Sequence, residues 1–189
     1  TDPDFRIRAL NTYLYRHFGM AYDHSDPYVK NISNRYITGL LDTKKGSCVS
    51  MPLLYLAVAQ RLGYPIYPVC APQHIFLRYV DSALKQKNIE ATGGGGYSPD
   101  EEYIASLQVS FPALAKGTYL RTLSYREYLG LLIEQNGIYW GQRGHPDKAI
   151  DYLEMAVNLS PRSADTIRSL GVAYQKKVSQ PMITRHRNT

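Results

Sequence analysis

The chain has 189 residues, of which 44% are hydrophobic and 20% charged, and a formal net charge of +6. A chain this long buries roughly 70% of its unfolded surface, which is enough to fold without disulfides or metal, and the composition excludes wholesale disorder. With 2 cysteines there is no disulfide framework, and the longest apolar run, 49–59, is too short to span a membrane and contains Ser50 and Pro52. Basic residues are dispersed, apart from Lys44-Lys45, Lys176-Lys177 and Arg185-His186-Arg187. Clusters this small are solvated surface, so no nucleic-acid partner is expected. The chain opens on Thr1 rather than methionine, as a processed chain or an excised piece would, and the compartment is not fixed.

The first forty residues read as helical. Phe5, Ala9, Leu10, Tyr13 and Leu14 recur at helical spacing, and Gly19 follows as a stop. Residues 23–27 are a turn-rich link. A second amphipathic stripe, Ile32, Tyr36, Ile37, Leu40 and Leu41, ends near 42–46. An apolar helix then starts close to Cys48 or Ser50 and closes on Gly63, because Pro52 is tolerated only in a first turn.

Beyond Gly63 the pattern changes to strands, with candidates at 66–69, 75–80 and 87–91. The glycines 93–96 read as a mobile lid or linker. They lack the Lys-Ser/Thr of a phosphate loop. Residues 98–107 fit a helix capped by Ser98, with Asp100, Glu101 and Glu102 in its first turn. From Ser124, where Ser124-x-x-Glu127 forms a capping box, helices are expected at 124–141, 147–159 and 163–177. Gly137 and Trp140 recur 34 residues later as Gly171 and Tyr174, with Ala149, Leu153, Ala156 and Pro161 between them. That register matches a tetratricopeptide repeat and predicts that Trp140 and Leu153 are buried. One repeat and part of another cannot bury both faces, so an apolar side is expected to rest on the preceding domain or on another chain.

Three residues carry the candidate chemistry. Cys48 stands at the start of the apolar helix, His74 opens a strand after Pro72, and Glu90 lies in the next strand, two residues after Asn88. A helix N-terminus favours a thiolate. An imidazole beside it can hold the proton, and a carboxylate or amide can orient that imidazole. Backbone N–H groups of the first turn can receive a developing oxyanion. Cys70, in an apolar strand, reads as a small core residue, and His17, His24, His145 and His186 read as surface. The spacing Cys70-x-x-x-His74 is ligand-like, and Cys48 or Glu90 could complete a zinc set. Pro72 interrupts it and no Cys-x-x-Cys supports it, so no metal and no cofactor are expected.

The stretch Gly46-Ser47-Cys48-Val49-Ser50-Met51-Pro52-Leu53-Leu54-Tyr55, continued by Leu62-Gly63-Tyr64-Pro65 and Ala71-Pro72-Gln73-His74-Ile75-Phe76-Leu77-Arg78-Tyr79, resembles the core of the transglutaminase-like superfamily. It is most similar to the SirB1-like branch, whose cores often precede tetratricopeptide repeats. Asn34, twelve residues before Gly46, resembles an asparagine of that branch. The resemblance implies an α+β fold, with a papain-like core and small antiparallel sheet over 1–118 and an all-α tetratricopeptide-type appendage over 119–189.

It also implies Cys48 as nucleophile and His74 as base. The superfamily's third member is typically an aspartate on the next strand. Here Glu90 holds that place, with Asn88 and then Asp81 as alternatives, and Asn34 as a further oxyanion or orienting candidate. The expected function is acyl transfer or hydrolysis on a peptide or amide bond of a protein or peptide substrate. The alternative is an inactive core whose repeats bind a protein partner.

Overall fold

The computed structural model describes residues 2–81 and 87–179; the Arg185-His186-Arg187 cluster, and the surface reading of His186, lie outside them. The chain divides into two compact units, the first running to Tyr125 and the second starting at Arg126.

The first unit begins with α1 (Pro3–Asn11), where Pro3 fits the first turn and the Asp2 carboxylate accepts from Asp4 N at 3.1 Å. A π-helical segment, Thr12–His17, follows and stops at Gly19, whose φ is +82°. The buried stripe is Ile7, Leu10 and Leu14. Phe5 and Tyr13, expected on that face, are 56% and 59% exposed. Burial follows the seven-residue step from Ile7 to Leu14, and the wider π turn begins immediately after Asn11.

Two short strands, β1 (Ala21–Tyr22) and β2 (Lys45–Gly46), pair in parallel, with Tyr22 opposite Gly46. Between them lie a 3-10 turn (Ile32–Arg35) and α2 (Ile37–Thr43), which ends on Lys44 in the left-handed region. The apolar helix is α3 (Ser50–Arg61), with Met51, Pro52, Leu54, Tyr55, Leu56 and Ala59 buried. A sheet β3-β4-β5 follows, with β3 (Ile66–Ala71), β4 (His74–Tyr79) and β5 (Lys87–Ile89) all antiparallel. Val69, Ala71 and Phe76 of this sheet pack with Tyr103 and Leu120. Tyr103 comes from α4 (Asp100–Ser106), which starts after Pro99 rather than at a Ser98 cap; a short α5 (Phe111–Ala115) follows.

The stretch after α5 runs along the free side of β3. Leu120 N donates to Cys70 O at 2.9 Å and Leu123 N to Pro68 O at 2.8 Å, and both leucines are buried. One buried cation braces this layer. Arg78 donates to Asn88 Oδ1 at 2.7 Å, Leu120 O at 2.9 Å and Asp100 Oδ1 at 2.6 Å. A guanidinium can satisfy three such acceptors at once because its five donors are fixed in a plane.

The second unit contains α6 (Tyr125–Gln142), α7 (Pro146–Leu159) and α8 (Ala164–Ser179), close to the expected bounds. Ala149, Ile150, Leu153 and Ala173 form its core, with Trp140 and Leu170 half-buried against it. Leu153 is buried as expected, whereas Trp140 is only partly so. Gly137 permits the close approach of α6 and α7, since a Cβ there would lie 2.5 Å from Leu153 Cγ. The buried Glu134 carboxylate accepts from the Thr166 and Ser169 hydroxyls, each at 2.8 Å, which ties α6 to α8. Among the described residues no helix is long and apolar enough to cross a membrane.

Candidate active site

Cys48 sits in the turn between β2 and α3, two residues ahead of the helix. That turn is clamped from both sides. Ser47 Oγ and Ser50 Oγ both donate to the Asn34 carbonyl, at 2.7 and 2.8 Å. The same two hydroxyls accept from backbone, Ser47 Oγ from Val49 N and Ser50 Oγ from Ser47 N, each at 3.1 Å. The Asn34 side chain is in turn fixed by donating to Asp23 Oδ2 and Asp26 Oδ2, both at 2.9 Å. The two serine hydroxyls, the Asn34 carbonyl and the Asn34 amide nitrogen are therefore all used, which braces the Cys48 turn. The Cys48 side chain itself is half-buried.

His74 follows the two-residue turn Pro72-Gln73, which closes the β3–β4 hairpin with Gln73 at φ 55°. The imidazole lies 6.0 Å from the Tyr103 ring and 6.4 Å from that of Phe76, both near parallel, while Phe76 and Tyr103 stack at 3.9 Å. These rings limit rotation of the imidazole and exclude water from one side. Nε2 meets Glu90 Oε2 at 2.7 Å, and the Cys48 thiol lies near enough to raise the proton affinity of the ring. With Nε2 occupied by Glu90, Nδ1 is the nitrogen left for the sulfur.

Glu90 is not inside a strand. The strand ends at Ile89, and Glu90 caps a 3-10 turn, Ala91–Gly93. Its Oε1 accepts from Thr92 N at 3.0 Å and Thr92 Oγ1 at 2.6 Å; its Oε2 accepts from Tyr103 Oη at 2.9 Å besides facing His74. The glycines wrap this residue. Glu90 N donates to Gly96 O at 2.8 Å, and Glu90 O accepts from Gly93 N at 3.1 Å and Gly95 N at 2.9 Å. Gly95 has φ +74°, and a Cβ there would collide with the Asn11 side chain, so only glycine fits. Asn11 Nδ2 donates to Gly95 O at 2.9 Å and its Oδ1 accepts from Tyr55 Oη at 2.9 Å. The glycine run thus folds back on the Glu90 backbone and is hydrogen-bonded to it at both N–H and carbonyl.

The electrostatics follow. Burial alone would lower the His74 pKa, but the neighbouring Cys48 and the hydrogen-bonded, charged Glu90 outweigh it and raise it from 6.5 to about 9. Burial alone would raise Glu90, but His74 and Thr92 bring it from 4.5 down to about 2. The arrangement therefore favours an imidazolium beside a carboxylate.

The other candidates lie elsewhere. Asn88 Oδ1 accepts from Arg78, and its Nδ2 donates to Ser98 O at 2.9 Å and Asp100 Oδ1 at 2.7 Å, so it does not orient His74. Both amide protons of Asn34 are spent on Asp23 and Asp26, so its amide is not an oxyanion donor; it positions the Cys48 turn instead. Asp81 lies beyond Tyr79, at the end of β4 opposite to His74. Cys70 is half-buried on β3, opposite Ile75. His17, His24 and His145 are exposed. Among the described residues no group of three or more His, Cys, Asp or Glu is placed to hold a metal ion.

Sequence reasoning missed Thr92 and Tyr103. Thr92 was legible as a hydroxyl two residues after a carboxylate, an arrangement that favours a local side-chain turn. Tyr103 was not, because its contact depends on how α4 packs on the sheet.

Residues 1–133, more than half of the chain, match the family model described as the transglutaminase-like superfamily. A UPF0162 protein of Xylella fastidiosa is 22% identical over 186 residues, covering 89% of this chain and 61% of its own length. F-box only protein 21 of Mus musculus is 39% identical over 77 residues, 41% of this chain and 12% of that protein. The chain thus spans less than two thirds of these relatives. Among solved structures, menin, whose crystal structure is described as revealing the binding site for Mixed Lineage Leukemia (MLL) protein, superposes with a TM-score of 0.54 at 12% identity. The match covers 94% of this chain and 51% of menin. At that identity the likeness is one of fold.

Proposed function

The chain belongs to the transglutaminase-like superfamily, and from that premise we propose that it carries out cysteine-dependent acyl transfer or hydrolysis on a peptide or amide bond. Cys48 attacks the carbonyl carbon. His74, an imidazolium at neutral pH, holds the proton taken from the thiol and gives it to the leaving amine, and Glu90 holds the ring and stabilises the imidazolium. The observation that carries this reading is the His74 ring, paired with the Glu90 carboxylate at 2.7 Å and close enough to Cys48 for the thiol to raise its proton affinity. Water as acceptor gives a protease or amidase, and an amine gives a transglutaminase.

The finer placement we propose is the SirB1-like branch, with tetratricopeptide-type helices after the core. It is supported by the 34-residue recurrence of Gly137 and Trp140 as Gly171 and Tyr174 and by the fit of Gly137 against Leu153. A groove in the second unit, lined by Gly137, Leu153, Arg168, Val172 and Lys176, favours the second reading, a helical surface for a protein partner. The second reading, as an inactive core with a binding surface on its helices, excludes the first, whereas a helical binding surface by itself does not.

The test is to incubate the protein with p-nitrophenyl acetate and look for an acetyl thioester on the Cys48 peptide by mass spectrometry. A thioester on Cys48 that needs His74 and turns over, with water or with added monodansylcadaverine as acceptor, supports the proposal. Acetylation that spares Cys48, or that is unchanged in His74→Ala, overturns it.

A further inference from the structure

An acyl transfer of this kind needs donors for the oxyanion as well as a nucleophile. The Asn34 amide is consumed by Asp23 and Asp26. Two of the backbone N–H groups around Cys48 are also taken, those of Ser47 and Val49, by hydroxyl oxygens. Among the described residues, the Cys48 N–H and the Tyr22 hydroxyl make no hydrogen bond. Tyr22 closes β1 and pairs in register with Gly46, two residues before Cys48. The parallel ladder β1–β2 thus sets the Tyr22 backbone beside the nucleophile turn. Its ring is held edge-on by His24, with centroids 5.0 Å apart. It is half-buried, and Cys48 lies close enough to raise the proton affinity of its hydroxyl.

We propose that Tyr22 is an oxyanion donor, acting with the Cys48 N–H on the oxygen of the acyl carbonyl. This rests on the reading of Cys48 as nucleophile. In the step, the sulfur–carbon bond forms as the carbonyl π pair moves onto oxygen. The proton of the thiol already rests on His74 as the imidazolium, and Tyr22 Oη–H and Cys48 N–H donate to the oxyanion. When the tetrahedral intermediate collapses, the carbon–leaving-group bond breaks and the leaving group departs with its electron pair. The environment of Tyr22 suits a donor that stays protonated. Burial first, then the proximity of Cys48, Asp26 and Asp23, raises the phenol pKa, so the hydroxyl keeps its proton while negative charge grows beside it.

The experiment compares two reactions at one sulfur in the full chain. Acetylation by p-nitrophenyl acetate passes through an oxyanion. Alkylation by iodoacetamide displaces iodide from a saturated carbon and does not. Tyr22→Phe removes the hydroxyl and keeps the ring. The expected result is acetylation of Cys48 slowed by about 100-fold, with alkylation changed by less than about two-fold. Equal acetylation rates in Tyr22→Phe and the parent chain overturn the oxyanion role and leave the nucleophile reading intact. A parallel fall in both reactions also overturns it, because Tyr22 would then be shaping the Cys48 turn. If the parent chain is alkylated at Cys48 but never acetylated there, the functional reading fails first and this inference falls with it.

Discussion

Replacing Glu90 by glutamine keeps the volume of the side chain and removes its charge. Its Oε2 lies 2.7 Å from His74 Nε2, and its Oε1 takes two hydrogen bonds from Thr92. The rise of the His74 pKa from 6.5 to about 9 is worth about 3 kcal/mol at roughly 1.4 kcal/mol per tenfold change in proton affinity. Glu90 and Cys48 share that effect against the opposing cost of burial. In Glu90→Gln the influence of Cys48 and the cost of burial remain while the carboxylate charge is gone, so the His74 midpoint falls below about 9.

The assay is an NMR titration of the imidazole Cε1 protons, with His74 assigned among the five histidines by a His74→Ala control. The rate of Cys48 acetylation falls with the midpoint, by roughly 100-fold to 10,000-fold, as expected when the group orienting a catalytic histidine is lost. A His74 midpoint that stays near 9 in Glu90→Gln would refute the assignment of Glu90 as the group that holds the imidazolium.

The same pair fixes a pH dependence of stability. His74 is raised, so its contribution is complete below about 6.5 and is lost as pH climbs through about 9. Glu90 is lowered, so its contribution is complete above about 4.5 and is lost as pH falls towards about 2. Thermal melts are therefore expected to show the largest gap between the parent chain and Glu90→Gln from about pH 4.5 to 6.5, narrowing on both sides; a gap that widens towards pH 9 contradicts the assignment. Asn34→Ala leaves Asp23 and Asp26 facing each other without their shared donor. It is expected to cost about 2–3 kcal/mol in urea unfolding and to slow Cys48 alkylation; an unchanged alkylation rate would separate the clamp from the site. Arg78→Ala strands Asn88 and Asp100 and is expected to cost about 3–5 kcal/mol, measured the same way. A chain ended at Thr118 lacks Leu120 and Leu123 and their bonds to β3, whereas one ended at Tyr125 keeps them. The shorter piece should be less stable by about 3 kcal/mol or more, and equal melts would show that this stretch does not support the sheet.

The parts of the site legible in the sequence are those set by local chain chemistry. A proline in the first turn of an apolar helix fixes where α3 starts and hence where Cys48 stands. A proline two residues before a β-branched, aromatic run fixes His74 at the mouth of a hairpin. The roles of Asn34 and Asn88 were not legible, because each depends on a partner distant in sequence. Asn88 and Glu90 fall on the same strand face by simple alternation. The observed register puts Asn88 opposite Arg78, and the buried guanidinium claims it. Glu90, one pleat further on, is released from the ladder by the glycine turn and reaches His74 instead. Tyr22 stayed invisible for a similar reason. Its neighbour is Gly46 across a parallel pair, and nothing in residues 21–22 announces a strand two residues long. The tyrosines, 17 in all, hid this further: Tyr55, Tyr79, Tyr103 and Tyr128 are core residues, and only structure separates them from a half-buried phenol beside Gly46.

The most direct measurement is the alkylation of the two cysteines by iodoacetamide near pH 7, each followed by its own peptide mass. Both are half-buried, so accessibility alone does not separate them. Activation by His74 predicts that Cys48 is labelled well before Cys70 and that His74→Ala removes the advantage. Equal labelling of the two, faster labelling of Cys70, or a Cys48 rate indifferent to His74 would contradict it.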